Sequence, residues 1–269
     1  MRGKKAIFGA VRFIFALIAL FIPFEAWGFA VPEKLIFDVT WSGLKVGEVS
    51  AEISEDGRDM KMLGRGQTSG WVSVFYKISD TLVSRVDKES FKDAQQGLPY
   101  SFDYRKTFHE GKLRLDEEIA LEAGDGESRY LDHLKKHEAK KKREETVYDP
   151  LSLFYYIRRL PLTVGSSVRF KIVDREDVYD VQVRVLKKET VKTSLGTFDT
   201  ILLKPVFGYI PGDRGLMYIK GDTYIWLTDD EKRLPVLVQK TADVPLPGVI
   251  PKSLREGMKK ARMTLKKAE

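Results

Sequence analysis

The chain has three histidines, His109, His133 and His137, and the last two are separated by H-L-K-K-H. On a helix that spacing brings both rings to one face, the arrangement zinc-binding helices use. Here the glutamate such a motif carries between its histidines is absent, no third ligand is obvious, and the two adjacent lysines would repel a cation. A metal site is therefore not expected. The pattern Gly-x-Ser-x-Gly is missing, and the chain has no cysteine, which removes thiolate chemistry and disulfides together. Paired carboxylates occur at Glu117-Glu118 and Asp229-Asp230. Neighbours on a strand point to opposite faces, so neither pair can work as acid and base across one substrate. The glycine-rich "GRGQTSG" lacks the Lys-Ser/Thr ending of a phosphate-binding loop. No catalytic set and no cofactor are expected, which makes a non-enzyme the first reading.

The elements that would have to position a site are mostly strands. "KLIFDVTW" runs into Ser42-Gly43, "KVGEVSAEIS" into Asp56-Gly57, and "RDMKMLGRGQTS" follows. "YSFDYRKTF" turns at Glu110-Gly111 into "KLRLDEEIALEA". Later come "SVRFKIVD", "VYDVQVRVLKKETVKT", "FDTILLKPVF", "LMYIKGDTYIWLTD" and "LPVLVQKTAD". β-branched and aromatic residues alternate with polar ones between turn signals, which predicts about ten to twelve antiparallel strands. The fold class expected is mainly β: a curved antiparallel sheet, half-barrel or barrel, with one central helix. Strand sets at 33–133 and 166–242 flank a helix at 150–160 within a single domain, 31–245.

That helix lies in "YDPLSLFYYIRRLPL", residues 148–162. Asp149 suits the N-cap and Pro150 the first helical position, while Pro161 limits the end. At 100° per residue, Leu153, Phe154, Tyr156, Ile157 and Leu160 form one apolar face, and Leu151 and Tyr155 project from the other side. Ser152, Arg158 and Arg159 are left as the residues able to face water. A helix so apolar must be enclosed, either as packed core or as a lid over an apolar ligand. The aromatic stretch "TSGWVSVFYKISD", residues 68–80, is expected to meet the helix or line the same space. Candidate ligand-lining residues are Trp71, Phe75, Tyr76, Leu151, Phe154, Tyr155 and Tyr156.

Two charged segments interrupt the pattern. "HLKKHEAKKKREE", residues 133–145, reads as a solvated linker or frayed extension, and its 135–143 portion as a contact for a membrane surface. The basic C-terminal extension, 246–269, ends in "PKSLREGMKKARMTLKKAE", read as an amphipathic helix with a fraying tail or as an edge strand.

The first thirty residues follow another grammar. Arg2, Lys4, Lys5 and Arg12 form a basic start, an apolar run extends from Phe13 to Ile22, and small residues stand at Ala26, Gly28 and Ala30. This is the pattern of a cleavable signal peptide, residues 1–30, cut after Gly28 or Ala30. Its apolar run is shorter than the roughly 20 residues that cross a bilayer. Without those four bases and Glu25 the formal charge falls from +7 to about +4, so nucleic acid is not an expected partner.

Five segments in order, "FDVTWSGLKVGEVSAEI", "TSGWVSVFYKISD", "DPLSLFYYIRRLPL", "LGTFDTILLKPV" and "YIWLTDDEKRLPVLV", resemble a bacterial family known as domain of unknown function 3108. The resemblance spans residues 33–242. It implies an exported, periplasmic protein without an established activity, and carries over no catalytic or binding residue. Gly196 is expected at a turn with positive φ, Asp229-Asp230 at a strand reversal, and Pro235 at the opening of the next strand. The inserted "PGVIPKSLREGMKK" departs from the family's pattern and leaves the last strand open. The leading expectation is an exported, non-enzymatic periplasmic protein of the cell envelope that binds a lipid-like or other apolar ligand. A structural module docking on another envelope protein is the alternative, and an unrecognised hydrolase a third reading.

Overall fold

Alternation of inward and outward side chains turns most of the chain into strands. In β1 (Glu33–Trp41) residues Glu33, Leu35 and Phe37 are buried and their neighbours half-exposed. In β5 (Phe102–Glu110) Phe102, Tyr104, Lys106 and Phe108 point inward, with Asp103 and Arg105 in solvent. The computed structural model describes residues 30–92, 102–121, 126–143, 146–208, 221–241 and 260–269. The expected signal peptide, apart from Ala30, lies outside the described residues.

The remaining strands are β2 (Leu44–Asp56), β3 (Asp59–Thr68), β4 (Ser79–Asp87), β6 (Leu113–Leu121), β7 (Glu127–Asp132) and β8 (His137–Lys142), then β9 (Ser167–Asp174), β10 (Asp177–Thr193), β11 (Gly196–Phe207), β12 (Thr223–Thr228), β13 (Pro235–Thr241) and β14 (Lys260–Ala268). Among the described residues three helices accompany them: α1 (Val72–Phe75), α2 (Lys88–Lys92) and α3 (Pro150–Ile157). The fourteen described strands form one sheet in the order β8-β7-β6-β5-β4-β3-β2-β1-β14-β13-β12-β11-β10-β9. Every neighbouring pair is antiparallel. Register shifts at Ile36/Phe37, Val39/Thr40, Val185/Lys187 and Trp226/Leu227 mark bulges, which bend strands and increase local twist.

The sheet is not closed: its edges are β8 and β9, and α3 lies between them in the chain. Side chains and one short bridge span the gap. The Tyr148 N–H donates to the Lys171 carbonyl and the Val173 N–H to the Tyr148 carbonyl, each at 2.9 Å. The Arg143 guanidinium reaches the Glu176 carbonyl at 3.0 Å.

Two hydrophobic clusters fill the curve. One gathers Leu35, Phe37, Ile53, Met60, Met62, Tyr104 and Ile119 from the first eight strands, with Val236 and Leu265. The other gathers Phe170, Ile172, Val181, Val183, Ile201, Leu203 and Leu227.

The expected mainly-β, antiparallel class with one inner helix is what the chain adopts. Three turn expectations also agree. Gly196 has φ +136°, Asp229 and Asp230 lie between β12 and β13, and β13 opens at Pro235. Two charged segments differ from their sequence readings. Residues 133–143 are not a linker: 133–136 form a turn and His137–Lys142 is β8, while 144–145 lie outside the described residues. Pairing with β7 satisfies one side of its backbone, and Lys140 pairs with Glu127 at 3.0 Å, so a lysine-rich run holds as a strand at the sheet edge. Of the C-terminal extension, 246–259 lie outside the described residues, and residues 260–268 form β14, which is not an edge because it lies between β1 and β13. A short, lysine-rich strand is accepted there because Leu265 points into the core while its lysines stay outside.

Candidate functional site

Helix α3 is set by its first residue. The Asp149 side chain accepts from the Leu151 and Ser152 N–H groups, both at 2.9 Å, so it is the N-cap, with Pro150 following. Ser84 of β4 donates its hydroxyl to the same carboxylate at 2.8 Å. Burial pushes the Asp149 carboxyl above its ordinary range, against the pull of these hydrogen bonds.

From that cap, α3 drives a wedge between the two clusters. Leu151 and Tyr155, one turn apart, are buried in the first; Leu153 and Tyr156 are buried in the second. Phe154 is half-buried against the first cluster, its ring edge-on to Tyr155 at 5.2 Å. Tyr148, just before the helix, packs tilted against Tyr156 at 5.4 Å and edge-on to Phe170 at 5.6 Å.

The polar face expected at Ser152, Arg158 and Arg159 is corrected by the structure. Ser152 is fully buried and gives its hydroxyl to the Asp149 carbonyl at 3.1 Å. Arg158 is 1% exposed. Its two terminal nitrogens grip both Glu33 carboxylate oxygens at 2.6 and 2.8 Å, and it also donates to the Arg233 and Lys232 carbonyls, each at 3.0 Å. This planar fork ties the helix C-terminus to the start of β1 and to the β12–β13 turn. Arg159 donates to the Phe91 carbonyl and lies 5.1 Å over the Phe91 ring, which joins α3 to α2.

A second buried ionic group crosses the interior. Lys106 of β5, 1% exposed, pairs with Glu117 of β6 at 2.8 Å and with Asp174 at the end of β9. Arg175, in the next turn, meets Glu117 at 3.1 Å. Two cations and two anions balance, as burial in low dielectric requires. The cluster fastens the two ends of the open sheet across its interior.

The segment 68–80 goes elsewhere. It forms the β3–β4 connection, and Trp71, Val74 and Phe75 are 49%, 80% and 67% exposed. They belong to neither cluster, so the structure does not bring Trp71 and Phe75 to the helix. The reason is local: Gly70, at φ +64°, turns the chain off the end of β3, and the four-residue α1 sits beyond the sheet. Tyr76 folds back, half-buried, onto Gly111. A Cβ there would come within 2.7 Å of its ring, and φ is +56°, so glycine is required twice over.

Successive antiparallel strands bring four turns to this same end of the sheet: β1–β2, β3–β4, β5–β6 and β7–β8. They are hydrogen-bonded in series. The Ser69 N–H donates to the Val46 carbonyl at 3.0 Å, the Gly111 N–H to the Lys77 carbonyl at 2.9 Å, and the His133 N–H to the Asp116 carbonyl at 2.8 Å. Between the second and third turns, Glu110 shares a hydrogen bond with Asp80. Burial and the Asp80 charge raise the Glu110 carboxyl to about 7, so it holds the shared proton. This rim also carries Leu44, Leu113 and Leu134, all exposed.

The histidines do not converge. His133 faces Glu118 at 3.2 Å, and His137 faces Glu176 at 2.9 Å. The helix that would have aligned their rings is a turn and a strand instead. Among the described residues no group of three or more His, Asp or Glu side chains is placed to hold a metal ion.

The architecture is that of an open, barrel-like antiparallel sheet curved around one helix. The chain belongs to the family described as "Protein of unknown function (DUF3108)", which matches residues 36–246. No curated protein matches it. Among solved structures it is similar to a β-barrel-like protein of domain of unknown function DUF1849 from Brucella abortus. The TM-score is 0.56 at 10% identity, over 90% of this chain and 98% of that one, which is a likeness of fold. It is more loosely similar to a protein from Bacteroides fragilis described as exported with a YmcC-like fold (TM-score 0.35, 9% identity, 90% and 97% coverage).

Proposed function

We propose that the chain is exported to the bacterial periplasm, loses its first 28 or 30 residues there, and serves the cell envelope as a non-enzymatic binding protein that acts through the rim of four turns. The observation that carries this is the distribution of exposed apolar side chains. Six of the nine large ones among the described residues, Leu44, Trp71, Val74, Phe75, Leu113 and Leu134, sit on that rim. Clustered apolar exposure of this kind marks an interaction surface.

A carrier of an apolar ligand inside the sheet has less support. Of the seven candidate lining residues, Leu151 and Tyr155 pack in one cluster, Tyr156 in the other, and Trp71 and Phe75 face solvent. They do not wall a common space. Arg158 and Glu33 also clamp the helix that a carrier would have to move as a lid.

A photoreactive benzophenone side chain placed at Phe75, with a control at Leu195 on the β10–β11 turn at the opposite end, tests the reading in living cells. A specific adduct at 75, whether to lipid or to protein, and none at 195 is the expected result. No adduct at 75, or identical adducts at both positions, would contradict it. Osmotic-shock release of a chain shortened by 28 or 30 residues tests the export step; a full-length chain retained in the cytoplasm would exclude it.

A further inference from the structure

We propose that the rim docks the protein on a bilayer surface carrying anionic headgroups, with Trp71, Val74 and Phe75 entering the interface and Lys77, Lys112 and Lys136 meeting the headgroups. This rests on the reading of the rim as the acting surface and names what it acts on.

Charge is the first support. The four turns carry exposed Lys45, Lys77, Lys112, Arg114, Lys135 and Lys136. Lys45 is paired with Asp38 at 2.6 Å and Lys135 with Asp132 at 2.7 Å. Arg114 donates to the Gly111 and Leu113 carbonyls. Among the described residues no carboxylate pairs with Lys77, Lys112 or Lys136, so three cations look outward from this end. The rim's nearest acids, Asp80 and Glu110, are hydrogen-bonded to each other rather than to these lysines.

Shape is the second. The apolar residues stand at the tips of separate turns. Alternate turns of one sheet are about 10 Å apart, so the tips form a row of protrusions rather than a groove. A peptide needs a groove or a strand edge, whereas a fluid interface accepts scattered tips. The edge strands β8 and β9 lie away from the α1 tip. Tryptophan and phenylalanine flanked by lysine is the composition that settles at headgroup level, where apolar burial and attraction to anionic lipid add.

Sedimentation with sucrose-loaded vesicles tests the proposal, using the chain from Val31 onward, which contains every described element. Vesicles of phosphatidylglycerol mixed with phosphatidylcholine should bind it at least about tenfold more tightly than phosphatidylcholine alone, given roughly a fivefold gain per engaged lysine. Trp71→Ser with Phe75→Ser should weaken that binding about tenfold, the scale of losing one well-buried aromatic side chain. Lys77→Glu with Lys136→Glu should abolish the preference for anionic vesicles and leave the circular dichroism spectrum unchanged. Leu195→Ser at the other end should bind as the parent does.

Failure of the parent to bind anionic vesicles, equal binding to neutral ones, or undiminished binding by both rim variants would each overturn the proposal. If the vesicles fail while the benzophenone at residue 75 still yields a specific protein adduct in cells, the rim reading stands and the lipid assignment falls. If both fail, both fall.

Discussion

Arg158 shows what a single buried residue does in this protein. Nothing near it in sequence announces a partner, because Glu33 stands 125 residues earlier. On the sequence it reads as the polar end of a greasy helix, since periodicity separates polar from apolar residues but cannot say that a polar one is paired inside. Removing one member of a buried pair leaves the other charge uncompensated, so Arg158→Met should cost about 3 to 5 kcal/mol. Replacing Glu33 by Leu in the same chain should recover most of that loss. Urea midpoints of the two single variants and the double variant check this; a double variant no better than Arg158→Met would mean that the carbonyl contacts at 232 and 233 dominate.

Glu110 gives a residue-scale expectation in pH. Its folded carboxyl, at about 7, lies above the ordinary 4.5, and Asp80 is raised as well. The folded state therefore holds these protons more tightly than the unfolded chain. The stability this adds is complete below about pH 4.5 and is lost as pH rises through about 7. Urea midpoints of the parent should fall across that window. Glu110→Gln, which keeps a donor for Asp80, should flatten the fall; equal slopes in both chains would contradict the assignment.

At the scale of elements, the start of α3 was legible because capping is local chemistry: Asp149 and Pro150 needed no tertiary information. Which side of the helix met which neighbour was not legible. A helix enclosed all round carries no periodic signal to orient it. Leu153→Ala should cost about 2 to 5 kcal/mol and Tyr155→Ala a similar amount, because each empties a packed site in a different cluster. Thermal or urea unfolding reads both, and a variant within 0.5 kcal/mol of the parent, about the scatter of a neutral surface change, would show that its side of the wedge is loose. The segment 68–80 misled for a related reason. Aromatic residues in sequence imply burial, yet Gly70 carries these past the end of the sheet, and the backbone reversal decides the outcome rather than the composition.

At the scale of the molecule, the mainly-β class and the antiparallel meander were readable from alternation and turns, while the seam was not. β14 pairs with β1, so the first and last strands meet mid-sheet, and no local pattern in "ARMTLKK" indicates that. Deleting residues 260–269 should leave two long edges unpaired in the middle of the sheet, and such edges invite aggregation. The shortened chain should be insoluble or lack the parent's β circular dichroism; a soluble, folded product would mean that the two halves stand without the seam.

If the interior is structural and the rim meets a membrane, Trp71 must sit at headgroup depth in a bound vesicle. In a chain from Val31 with Trp41 and Trp226 replaced by Phe, Trp71 is the one remaining tryptophan. Bromine placed high on the acyl chains of anionic vesicles should quench its fluorescence, and the emission should shift to the blue. Bound protein whose Trp71 emission is neither quenched nor shifted would mean that the rim does not enter the membrane.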